Sequence, residues 1–123
     1  MLEISPHRAQ KNQVNQFWPN PSFGIDGAKG AITSFQYGDA DFFLLDNRTY
    51  RSPNKLKAND KTILGATQLQ WLKDALVNSS ATFKIVAMGG QFLTSVQAYE
   101  TYSNNGFKYE RDEIIEFIYQ HNI

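Results

Sequence analysis

The residues whose types and spacing could do chemistry gather in one short stretch, LLDNRTYR, at residues 44–51. Asp46 follows an apolar run that reads as a strand, and the C-terminal ends of strands are where open α/β sheets present ligand sites. The alternatives for such an aspartate are an Asx turn or an ion pair with Arg48 or Arg51. Both arginines carry planar guanidinium forks whose paired donors match two oxygens of a phosphate. The plainer reading is a solvated basic loop. From Arg48 to Lys61 the chain holds five cations (Arg48, Arg51, Lys55, Lys57, Lys61) against one acid, Asp60, and Pro53 interrupts any helix there.

Other chemistries are poorly supplied. There is no cysteine, hence no disulfide and no thiolate zinc cluster, and two histidines, His7 and His121, are too few for a self-contained transition-metal site. Twelve Lys and Arg balance 12 Asp and Glu, so no global field draws the chain to nucleic acid or to an anionic membrane surface. Base stacking would also need cations interleaved with the aromatics, and the aromatic segment Phe17 to Gly30 has only Lys29. The longest near-apolar runs, such as Ala40 to Leu45 and Phe83 to Met88, fall far short of the roughly 20 residues of a spanning helix. The opening MLEISPHRAQKNQ has neither the cationic nor the apolar region of a signal peptide.

The elements that must position the 44–51 stretch can be read from pattern. With 123 residues, 41% of them hydrophobic, the chain makes one domain with a modest core. Residues 1–16 read as a polar arm, 17–30 as an aromatic loop pinned by Trp18, Phe23 and Pro/Gly turns, and 31–123 as an α/β core. A strand is expected over Ile32 to Tyr37, a turn at Gly38 to Asp41, and a central strand over Asp41 to Leu45, apolar on both faces and so covered on both sides. Leu69, Leu72 and Leu76, flanked by Trp71 and Ala75, mark a helix from Ala66 to Val77. Phe83 to Met88 reads as a second buried strand, giving a right-handed crossover if the two strands are parallel. Gly89 and Gly90 close it. A last helix over Tyr109 to Tyr119 has an acidic start (Glu110, Asp112, Glu113) suited to the positive helix N-terminus and an apolar face of Ile114, Phe117 and Ile118.

Two ordered motifs resemble the alkaline phosphatase D (PhoD-like) family of metal-dependent phosphatases and phosphodiesterases. One is Leu45, Asp46, Arg48, Tyr50, Arg51 at a strand end. The other is the helix opening Leu64, Gly65, Gln68, Trp71, Leu72, followed by a strand. The stretches Trp18 to Gly24 and Tyr99 to Arg111 are similar to that family as well, so the likeness runs from Phe17 to Ile123. It implies part of an α/β/β/α metallophosphoesterase sandwich, with about three strands and two to three helices. It also implies phosphoester hydrolysis with calcium, iron or similar ions in a longer parent, exported to the periplasm, cell surface or medium.

The family's metal-binding segments, a Trp-Asp-Asp-His type upstream and a Gly-Asp-x-His type downstream, find no match in this sequence. The resemblance therefore implies an internal piece that is inactive alone and binds no metal of its own. Within it, Asp46, Arg48, Arg51 and Gln91 are the candidates for the active-site wall or its support. Gln91 falls where metallophosphoesterases present a ligand His. Glu100, standing before the aromatic Tyr102, is a weak candidate for a hard-cation ligand. The competing expectation is a small non-catalytic binding module with an aromatic-lined groove. A sheet cut out of a larger domain would also leave strand edges and helix faces uncovered, and a dimer is expected through the second face of the last helix, around Ile115 and Tyr119.

Overall fold

The computed structural model of the chain describes residues 25, 30–96, 100–103 and 106–123. The expected polar arm and most of the aromatic loop, with Trp18 and Phe23, lie outside the described residues.

Two strands, β1 (Thr33–Tyr37) and β2 (Ala40–Leu44), form an antiparallel hairpin in the register Thr33↔Leu44 to Tyr37↔Ala40. Its two-residue turn opens on Gly38, whose φ of 57° is the left-handed conformation that so tight a reversal needs. From β2 the chain runs through a long loop into α1 (Ala66–Asn78) and returns as β3 (Phe83–Ala87), parallel to β2 in the register Ala40↔Phe83 to Leu44↔Ala87. A parallel return requires such a crossover. The sheet is mixed, in the order β1-β2-β3, and α2 (Lys108–Gln120) completes the described part. The fold is thus α/β, and the expected element bounds agree with the observed ones to within a residue.

One face of the sheet carries the core. Phe43 and Leu45 meet Leu72 and Leu76 of α1, Ile114 of α2, and Ile63, Leu64, Tyr102 and Phe107 from the loops. Trp71 packs edge-on against Phe43, with ring centroids 6.4 Å apart, as a core aromatic. The buried stripe of α1 is Gln68, Leu72, Leu76, with Leu69 only partly buried, so a polar side chain leads the apolar face. The helix starts after Gly65, which has a φ of 77°, and a Cβ there would lie 2.8 Å from that of Tyr50. Only glycine meets both demands.

Two expectations about burial need correction. β2 is central, yet its second face is half covered: Phe42 stacks on Phe35 of β1 at 4.8 Å and remains partly exposed. β3 is an edge strand among the described residues and leaves Phe83, Ile85 and Val86 exposed, Phe83 at 62%. An apolar run records only that a strand can be buried. Whether it is depends on layers that local sequence does not specify. No helix among the described residues is long and apolar enough to cross a membrane.

Candidate functional site

The loops leaving the C-terminal ends of β2 and β3 converge, and the polar residues of the 44–51 stretch lie there. Asp46 is 4% exposed, and its carboxylate is fully engaged by the protein. Oδ1 accepts the backbone N–H groups of Arg48 at 2.8 Å and Thr49 at 2.9 Å, an Asx turn. Oδ2 accepts the Ala31 N–H at 2.9 Å and the Thr49 hydroxyl at 2.7 Å. Gly30 passes so close that a Cβ there would collide with this carboxylate. Burial alone would raise the Asp46 pKa. The backbone donors of Thr49 and Arg48, the Thr49 hydroxyl and the Ala31 N–H outweigh it and hold the group below its ordinary value of 3.8.

Gln68, buried on α1, fixes the same strand end from the other side. Its Oε1 accepts the Asp46 N–H at 2.8 Å, and its Nε2 donates to the Asp46 and Leu64 carbonyls at 2.8 and 2.9 Å. All polar atoms of one side chain are spent on clamping the helix to the end of β2. A second buried hub lies below the loop. Glu110 of α2 accepts Ile63 N–H at 2.9 Å, Leu64 N–H at 3.1 Å and the Tyr102 hydroxyl at 2.7 Å on Oε1, and the Thr62 hydroxyl on Oε2. Burial, aided by the charge of Glu110, pushes the Tyr102 pKa far up, so this phenol stays a donor. Glu110 stands in the first turn of α2, as expected of an acid at a helix N-terminus, and in addition ties α2 to the loop before α1.

The arginines sit differently. Arg48 Nη1 lies 2.9 Å from Glu100 Oε2, and Arg51 Nη2 lies 3.3 Å from Glu100 Oε1. The Arg48 side chain is 63% exposed, that of Arg51 15%, and that of Glu100 45%. The residue nearer the strand is thus the more exposed of the two, contrary to the order along the loop. Glu100, expected as a weak cation ligand, has each oxygen on a guanidinium. The Arg51 hydrogen bond and charge, then Arg48, hold its pKa below the ordinary glutamate value. Two guanidinium charges and one carboxylate leave the cluster with one net positive charge.

Asn47 completes the neighbourhood. A Cβ on Gly89 would lie 3.0 Å from the Asn47 Oδ1, and one on Gly90 would lie 3.1 Å from its Nδ2 and 3.5 Å from the Glu100 carbonyl. The two glycines let β3's exit loop pass close under this amide. Gln91, next along, is exposed. A cleft of about 320 Å³ opens beside the strand ends, lined by Ala31, Thr33, Leu44, Leu45, Met88 and Gly89.

Lys61 departs from the solvated-loop reading. It is buried, with Nζ 4.3 Å from the Phe107 ring centroid and 3.2 Å from the Asn54 carbonyl. His121 stacks on Phe117 at the end of α2, 4.1 Å between centroids. Among the described residues no group of three or more His, Cys, Asp or Glu could hold a metal ion.

The sequence matches the PhoD-like phosphatase family over residues 2–123. The chain belongs to that family. It is also similar in fold to a solved structure of PhoD, with a TM-score of 0.70 and 24% identity, covering 95% of this chain and 26% of that one. The chain thus spans about a quarter of the length of that relative. No curated protein matches it significantly.

The sequence pattern groups Asp46, Arg48 and Arg51, and the structure adds Glu100, Asn47 and the Gly89–Gly90 bend to them. The organising roles of Gln68 and Glu110 are not foreseen by that pattern. The usable signal for Gln68 was a polar residue in register with Leu72 and Leu76 on a buried helical face.

Proposed function

We propose that this chain forms the arginine-bearing wall of the catalytic domain of a metal-dependent phosphomonoesterase or phosphodiesterase, an exported enzyme of the PhoD-like family. The observation that carries this reading is the pair of guanidinium groups brought together on Glu100 beyond the C-terminal ends of parallel strands, with a net positive charge. Arg48 and Arg51 then receive phosphoryl oxygens and orient the ester, while Asp46 and Gln68 hold the loop that carries them.

The described residues do not fit a metal centre. Asp46 and Glu110 each already accept four donors, and Glu100 bridges two arginines. The ions that such chemistry uses fall to other parts of the protein, and the 123-residue chain alone is inactive.

The test is turnover of p-nitrophenyl phosphate and its bis-ester by the full-length protein. Arg48→Lys or Arg51→Lys keeps the charge but loses the fork. Each should weaken kcat/KM by about 1–3 kcal/mol of transition-state stabilisation, the range for charge-assisted hydrogen bonds. Unchanged turnover in both variants contradicts the reading.

A further inference from the structure

We infer that Glu100 is an internal stand-in for the anion, occupying the Arg48 and Arg51 forks in the ligand-free protein and leaving them when a phosphate-type anion binds. The inference rests on the reading of the two arginines as a phosphoryl-binding wall. Three observations carry it.

The first is geometric. Each Glu100 oxygen faces a different guanidinium, Oε2 on Arg48 and Oε1 on Arg51, which is the arrangement two oxygens of one phosphate would adopt. The second is exposure. The Arg48 side chain is mostly in water and that of Glu100 nearly half so, where an ion pair is weak and easily exchanged, while Arg51 is mostly covered and keeps its place. The third is the anchoring of the backbone. Two residues beyond Glu100, Tyr102 is fully buried, with its hydroxyl on Glu110 and its ring edge-on to Phe92 at 5.2 Å. The main chain on the C-terminal side of Glu100 is therefore anchored, and side-chain rotation suffices to move the carboxylate off the guanidinium groups.

A doubly charged phosphate carries more charge into the cluster than the carboxylate it displaces, so exchange favours the ligand. Self-occupancy weakens the apparent affinity by the fraction of molecules with open forks. The same factor applies to every anion that needs the open forks, carboxylates included.

The experiment is calorimetric titration of the full-length protein with inorganic phosphate, and separately with acetate, in four forms: unaltered, Glu100→Gln, Glu100→Ala, and Glu100→Gln combined with Arg48→Ala and Arg51→Ala. Glu100→Gln is nearly isosteric, so it keeps the test usable if the alanine variant folds poorly. With an open fraction of about one-tenth, phosphate should bind on the order of tenfold more tightly to the Glu100 variants, acetate should gain at least as much, and the gain should vanish when the arginines are removed. Arginine-dependent phosphate binding that is unchanged or weakened in both Glu100 variants overturns this inference and leaves the arginine wall standing. A gain that survives loss of the arginines overturns it too. Absence of phosphate binding in every form, or binding indifferent to the arginines, overturns the arginine wall and the inference together.

Discussion

Asp46 and Arg51 stand five residues apart on one loop and live in opposite physical regimes. Around Asp46 every polar atom is matched: a buried carboxylate takes four donors, and a buried glutamine clamps the same residue's backbone. Around Arg48, Arg51 and Glu100 the charges are partly in water, unequal in number and joined by two contacts that solvent or an anion can replace. The contrast separates the two tasks of a motif. Its first half shapes the loop, and its second half presents groups that can change partners. A buried, saturated aspartate is a poor ligand for anything arriving later, whereas a partly exposed, over-supplied cation cluster is a good one.

The sharpest way to break this contrast is to damage the saturated half. Glu110→Ala strands the Ile63 and Leu64 N–H groups and the Tyr102 hydroxyl, and should lower unfolding free energy by about 3–5 kcal/mol in urea denaturation, as loss of a buried hydrogen-bonded network does. Gln68→Leu keeps the volume but orphans the Asp46 N–H and carbonyl, and should cost about 2 kcal/mol. A loss under about 0.5 kcal/mol in both, the level of ordinary surface substitutions, would mean these hubs do not hold the loop.

A milder probe is acid. Because the folded-state pKa of Asp46 lies below 3.8, its stabilisation is fully present above that value and is lost as pH falls through the folded pKa. Stability followed by circular dichroism from pH 6 to 2 should therefore fall in that window, and fall less steeply in Asp46→Asn. Identical slopes would show that the four donors do not favour the charged carboxylate.

The smallest expected effect concerns the exposed apolar residues. Phe83 and Ile85 on β3, and Ile115 and Tyr119 on α2, should drive weak self-association of the isolated chain, seen as a sedimentation coefficient that rises with concentration. Ile85→Lys should reduce it. A strictly monomeric chain at high concentration would contradict this.

Much of the fold was legible because its signals are local. The switch from apolar runs to a helical period at Gly65 located β2, α1 and β3 to within a residue, and LLDNRTYR marked the loop where the site lies. What could not be read depends on distance. The donors on Glu110 include Ile63 and Leu64, 47 and 46 residues away, so its sequence context shows only an acid in a helix's first turn. Glu100 reaches Arg51 across 49 residues, and nothing near it in the chain distinguishes an arginine partner from a cation ligand. Lys61 looked like one more solvated cation because its neighbours in sequence are polar, while Phe107 reaches it through the fold. The exposure of β3 was invisible for the same reason, since covering layers are a tertiary property.

The division of the motif is tested most directly by two substitutions measured side by side in the full-length protein, each for melting temperature and for phosphoester turnover. Asp46→Asn should lower the melting temperature by about 1–2 °C, the consequence of about 1–2 kcal/mol lost from the Asx turn in a protein of that size, and should leave turnover per folded molecule within about twofold. Arg51→Lys should leave the melting temperature nearly unchanged and lower kcat/KM by roughly 10-fold or more, as loss of a bidentate donor predicts. The reverse pattern, an aspartate variant that melts normally but turns over poorly beside a lysine variant that unfolds early, would contradict the account.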